Sequence, residues 1–179
     1  GAYAALAADA KAGQEAPAFS LPDSKGQARS LADFKGKTVV LEWFNPECPY
    51  VKKSHTVGSL VTTAKKITDK GTVWLAINSG APGKQGTGAD KNREAAKTFK
   101  MEHPVLLDES GAAGKAYGAT NTPHMFVIDA SGKIAYQGAI DNSPDAEGKS
   151  APDGKLVNYV DAALDDLAAK RAVKTPDTK

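Results

Sequence analysis

The chain has 179 residues, 41% of them hydrophobic and 25% charged, with 20 lysines, 3 arginines and a formal net charge of +2. That is the composition of one globular domain able to bury a core without crosslinks, and lysines scattered at near-neutral charge exclude a dedicated nucleic-acid surface. The single cysteine excludes an intramolecular disulfide, and no apolar run approaches the roughly 20 residues that span a membrane.

The opening stretch GAYAALAADA is alanine-rich, with neither a charged leader nor a long apolar run. Residues 1–12 read as a stub or short helix. A trimmed export signal makes a periplasmic or secreted location the first expectation and a cytoplasmic one the second. APAFSLPDSKGQARSL follows as a short hairpin turning at Asp23 to Gly26. Thr38 to Phe44 is a strand, and a helix is predicted from about Cys48 to Thr68, closed by Gly71.

Thr72 to Ser79 is the next strand, followed by a glycine-rich loop to about Gly88 and a helix from Asp90 to Lys100 with an acidic cap. That loop lacks the spacing of phosphate-binding motifs and reads as a flexible insertion. Val105 to Leu107 is a short strand and Ser110 to Tyr117 a short helix, before a hairpin turning at Ser131 and Gly132. Asp141 to Asp153 is a surface loop. The last helix carries its apolar stripe on Leu156, Val160, Ala163, Leu164 and Leu167, with Asp161, Asp165 and Asp166 on a solvated face.

Cys48 is the residue best placed to carry chemistry. It ends an apolar strand at a proline-flanked turn, VVLEWFNPECPYVKKSH, where unpaired helix N–H groups favour a thiolate over a thiol. Pro49 suits the first helical position, where its missing N–H costs nothing. Lys52, one turn on, adds positive charge, and Glu47 opposes it. His55 lies about 10 Å along the helix, too far for a direct ion pair with Cys48, and reads as a surface or satisfied histidine.

Three segments, NPECPYVKK, AINS and DESGAAGKAYGATNTPHMFVIDASGKIAYQG, carry a resemblance to the peroxiredoxin-like branch of the alkyl hydroperoxide reductase/thiol-specific antioxidant family, in the thioredoxin superfamily. It implies an α/β, thioredoxin-like fold: a central mixed sheet flanked by helices, with an N-terminal hairpin extension. The domain is expected over 13–172, with 173–179 a tail. The resemblance also makes Thr122-Pro123 a cis-proline loop facing Cys48.

The chain departs from its relatives at this turn. Thioredoxin-like reductases hold CxxC where this sequence has Cys48-Pro49-Tyr50-Val51, so a second thiol is missing. Typical peroxiredoxins hold a threonine where Asn45 stands and a proline further upstream than Pro46, with an arginine at the site; here Arg29, Arg93 and Arg171 all lie in other segments.

The expected activity is therefore thiol-dependent oxidoreduction by Cys48 toward a peroxide or a disulfide, with an external thiol as reductant. Asn45, Pro46, Pro49, Lys52 and His124 are its supporting residues. No cofactor or metal is expected, and a homodimer is compatible with the family. The alternatives are a copper carrier using Cys48 with His124 or Met125, of which strand alternation lets at most one face Cys48, and a catalytically silent binding domain.

Overall fold

A computed structural model describes residues 10–148, 151 and 153–178. Of the expected stub at 1–12, residues 1–9 lie outside the described residues, and Ala10 is buried against the core. A hairpin of β1 (Ser20–Pro22) and β2 (Ala28–Ser30) opens the fold. Its turn is held by the Asp23 carboxylate, which accepts the N–H groups of Lys25 and Gln27 at 2.8 and 2.9 Å.

The main sheet contains β3 (Val39–Trp43), β4 (Val73–Asn78), β5 (Val105–Leu107), β6 (His124–Ile128) and β7 (Ile134–Gly138), in the order β5-β4-β3-β6-β7. β3, β4 and β5 are parallel; β6 and β7 are antiparallel to their neighbours. β3 is central and all five of its residues are buried. That suits a strand covered on both faces and explains its near-continuous apolar run.

Side-chain alternation divides the core. Val39, Leu41, Trp43, Leu75, Ile77 and Phe126 pack on one face, against α4 (Ala112–Tyr117) and the hairpin. Val40, Trp74, Met125, Val127 and Tyr136 pack on the other, against α2 (Thr63–Thr68) and α5 (Tyr159–Ala168). Burying each of these large side chains contributes roughly 1.5–3 kcal/mol. Phe44, Ala76 and Val105 carry that second face on to Val51 of α1 (Pro49–Thr56) and Ala95 of α3 (Ala89–Thr98).

Three elements differ from the sequence expectation. The long helix from Cys48 to Thr68 is two helices, because Gly58 is extended and lies against the Ala146 carbonyl with no room for a Cβ. α3 is capped by Gly88 at positive φ, and Asp90 sits inside its first turn, paired with Arg93. Leu156 precedes α5 and is exposed, since α5 starts at Tyr159 behind an Asn158 side chain that caps the Asp161 N–H.

Candidate active site around Cys48

The turn after β3 is built from its own polar atoms. The Asn45 carbonyl accepts the Cys48 N–H at 3.1 Å, and the Asn45 side chain accepts the Glu47 N–H at 2.9 Å. Cys48 thereby becomes the N-cap of α1, extended at φ −70 and ψ 126, with Pro49 first in the helix. The Cys48 side chain makes no cap bond. It is half-buried beside the Phe44 and Val51 cluster, with Sγ 3.4 Å from the Thr122 carbonyl oxygen. The Thr122-Pro123 bond is cis.

A cleft of about 930 Å³ opens beside Sγ, lined among others by Tyr50, Thr122, Pro123, His124 and Asp141. His124 starts β6 opposite Trp43, and its ring stacks on Phe126 with centroids 4.7 Å apart. Its Nδ1 is buried, with no hydrogen-bond partner among the described residues. Burial lowers the pKa of this imidazole, and the Asp177 carboxylate opposes that shift. Met125 points to the other face, fully buried beside Val40 and Trp74, so His124 is the member of the pair that shares the cleft with Cys48.

The remaining expected residues are spread out. Pro46, Glu47 and Lys52 line a separate hollow between α1 and α3, where Glu47 pairs with Lys91 at 3.3 Å. The Lys52 N–H closes the first turn of α1 on the Cys48 carbonyl. Arg29, Arg93 and Arg171 are engaged with Asp23, Asp90 and Asp166, none of which lines the hollow beside Pro46. Val51, three positions after Cys48, is fully buried.

Two arrangements escaped the sequence reading. The glycine-rich loop is stitched down: Asn78 Nδ2 donates to Gly86 O at 2.9 Å, Asn92 Nδ2 reaches Gly86 O and Gly88 O, and Asn45 Nδ2 reaches Gln85 O at 3.2 Å. Asparagines at the end of a strand and within a helix beside a glycine run were the available signal. Under α1, Glu42 is wholly buried, its carboxylate 2.6 Å from His55 Nε2 and 3.3 Å from the donating Trp74 Nε1. His55 is thus the satisfied histidine of the two alternatives, stacked on Phe99.

A mixed sheet in this order, with a cysteine capping the helix after its central strand and facing a cis-proline, defines a thioredoxin-like fold. The chain belongs to the Redoxin family, whose model matches residues 11–152. Among curated proteins it is 32% identical over 127 residues to the thiol-disulfide oxidoreductase ResA of Bacillus thuringiensis subsp. konkukian, a match covering 68% of this chain and 66% of that protein. Among solved structures, a hypothetical protein from Sinorhizobium meliloti 1021 superposes with TM-score 0.79 at 26% identity, covering 94% of this chain and 91% of the other. The thioredoxin domain of a thiol-disulfide oxidoreductase from Bacteroides vulgatus gives TM-score 0.56 at 26% identity, covering 70% and 86%.

Proposed function

We propose that the chain is a thiol-disulfide oxidoreductase working with the single cysteine Cys48. The Cys48 thiolate attacks one sulfur of a partner disulfide, forming a mixed disulfide and expelling the other sulfur as a thiolate. A thiol from a second molecule, deprotonated, then attacks the mixed disulfide; Cys48 leaves as thiolate and the partner ends joined to that second thiol. In this scheme His124, in the wall of the same cleft, borders the path of the incoming thiol. Asn45, Pro46 and Pro49 hold the turn, Lys52 contributes positive charge one turn on, and Thr122-Pro123 forms the wall that aligns the sulfurs.

The observation carrying this reading is that half-buried Cys48, its Sγ 3.4 Å from the Thr122 carbonyl oxygen, lines a wide cleft. The relatives named as thiol-disulfide oxidoreductases support the same class. A buried valine at position 51 leaves the second step to an outside thiol. A peroxide in place of the disulfide is the other branch: the thiolate takes one oxygen to become sulfenic acid and the peroxide leaves as alkoxide or hydroxide.

Mass spectrometry of the folded protein after oxidised glutathione, and separately after stoichiometric hydrogen peroxide, tests both branches. One glutathione adduct on Cys48, removed by added thiol and absent in Cys48→Ser, is expected. Adduct formation no faster than on the unfolded chain would sink the proposal, and sulfenic acid without adduct would move it to the peroxide branch.

A further inference from the structure

The outer edge of β7 is occupied. Residues 176–178 run beside it in parallel, with Asp177 opposite Gln137. The Gln137 N–H donates to Pro176 O and the Thr178 N–H to Gln137 O, both at 3.0 Å, while Gln137 Nε2 donates to the Asp177 carboxylate at 3.0 Å. Thr178 Oγ1 accepts the Ala139 N–H at 2.9 Å and lies 2.5 Å from Tyr136 Oη. Gly138, at φ 141, lies directly beneath, and a Cβ there would collide with the Thr178 hydroxyl and carbonyl. This edge is therefore fitted to an extended backbone with a hydroxyl at one defined position.

The same segment reaches the redox cleft. Asp177 and Thr178 line the cavity that Cys48, Thr122 and Pro123 line. Yet it is lightly held: Lys174, Thr175, Pro176 and Asp177 are exposed, so it buries little apolar surface and rests on edge hydrogen bonds. Segments held this way open at the low end of the local stability range. Strand addition at a sheet edge takes affinity from main-chain bonds and specificity from the pockets for alternate side chains.

We propose that the β7 edge is the docking strand for an extended segment of a protein substrate carrying a hydroxyl side chain where Thr178 stands, and that residues 176–178 are its resident competitor. The substrate class rests on the thiol-disulfide reading above. The docking edge itself does not. An incoming segment displaces Pro176 to Thr178, takes over the Gln137 and Ala139 hydrogen bonds, and is led along the cleft wall toward Cys48.

The test uses the full chain with Thr178→Val, which loses the hydroxyl, and Asp177→Ala, at an exposed position, which loses the Gln137 Nε2 bond. Two quantities are read: the rate of Cys48 modification by a polyethylene-glycol maleimide relative to iodoacetamide, and the affinity for a fluorescein-labelled VKTPDT peptide, the sequence of residues 173–178. Loosening the resident segment should raise both by roughly threefold or more, as expected for removing one or two hydrogen bonds. A VKTPDV peptide should bind more weakly. Unchanged size ratio and peptide affinity in both variants would overturn the proposal. Neither readout needs turnover, so a protein inert to oxidised glutathione that still shows both keeps the docking edge and loses the redox reading.

Discussion

His55 Nε2 and Glu42 Oε2 stand 2.6 Å apart in the interior beneath α1, both side chains almost wholly out of water. Removing one member of such a pair leaves the other buried without compensation, at a cost of about 3–5 kcal/mol. Glu42→Leu and His55→Phe should each lower unfolding free energy by that order in urea titrations. The double variant Glu42→Leu/His55→Phe should lose markedly less than the sum. Additive losses would show that the pair is not coupled.

Val51 stands one turn along α1 from Cys48, inward-facing beside Phe44 and Ala76. Positions three apart at a helix start bring Cα atoms within the roughly 4.4–6.8 Å that a disulfide requires. Val51→Cys should close an internal disulfide with Cys48 under mild oxidation and reduce insulin-type disulfides faster than the parent. The decisive measurement is the mass loss on oxidation together with resistance of both thiols to alkylation. A folded variant that keeps both thiols free would contradict the helix-cap account of Cys48.

Gly86, at φ 76, lies against the Asn45 amide, and a Cβ there would strike Asn45 Oδ1. Because that oxygen also accepts the Glu47 N–H, Gly86→Ala should disturb the turn that presents Cys48. Adduct formation with oxidised glutathione should slow by about tenfold, the rate equivalent of about 1.4 kcal/mol. Stability should fall by about 1–3 kcal/mol from the forced left-handed backbone. Gly83→Ala, also at positive φ but in open space, is the control: a similar backbone cost with an unchanged Cys48 rate.

His103 gives the protein an acid-side dependence. Burial pushes its pKa down from 6.5 to about 4, with Glu42 partly opposing and His55 reinforcing the shift. Between those values the unfolded chain holds a proton that the folded chain refuses, so stability drops as pH falls through that window. The loss attributable to His103 is about 3 kcal/mol at most. Burial of His124 acts with the same sign. Chemical denaturation from pH 7 to 4 should show the slope, and His103→Gln should flatten it.

Much of the fold was legible because its signals are local. The Asp23 to Gly26 turn carries its own carboxylate clamp, and Cys48 stands between a β-branched run and a helix-opening proline. Glu42 was hidden for the opposite reason. It sits between Leu41 and Trp43 in a central strand, and its partner lies 13 positions away on a helix whose packing direction the sequence does not state. The spacing that separates His55 from Cys48 says nothing about its distance to Glu42. Likewise, residues 176–178 have no strand pattern of their own; their extended form comes from the β7 edge.

The two tryptophans of the chain lie on opposite faces of one sheet, each tied to a different carboxylate. Trp43 Nε1 donates to Ser79 Oγ, which donates to Asp108, and its strand position is opposite His124. Trp74 Nε1 donates to Glu42 and its ring lies 5.8 Å from His103. The protein therefore carries two optical channels without a label. Emission from Trp43, isolated with Trp74→Phe, should follow adduct formation at the cysteine, while emission from Trp74, isolated with Trp43→Phe, should follow acidification instead. The two single-tryptophan variants, read side by side, can thus separate a redox event from a protonation event.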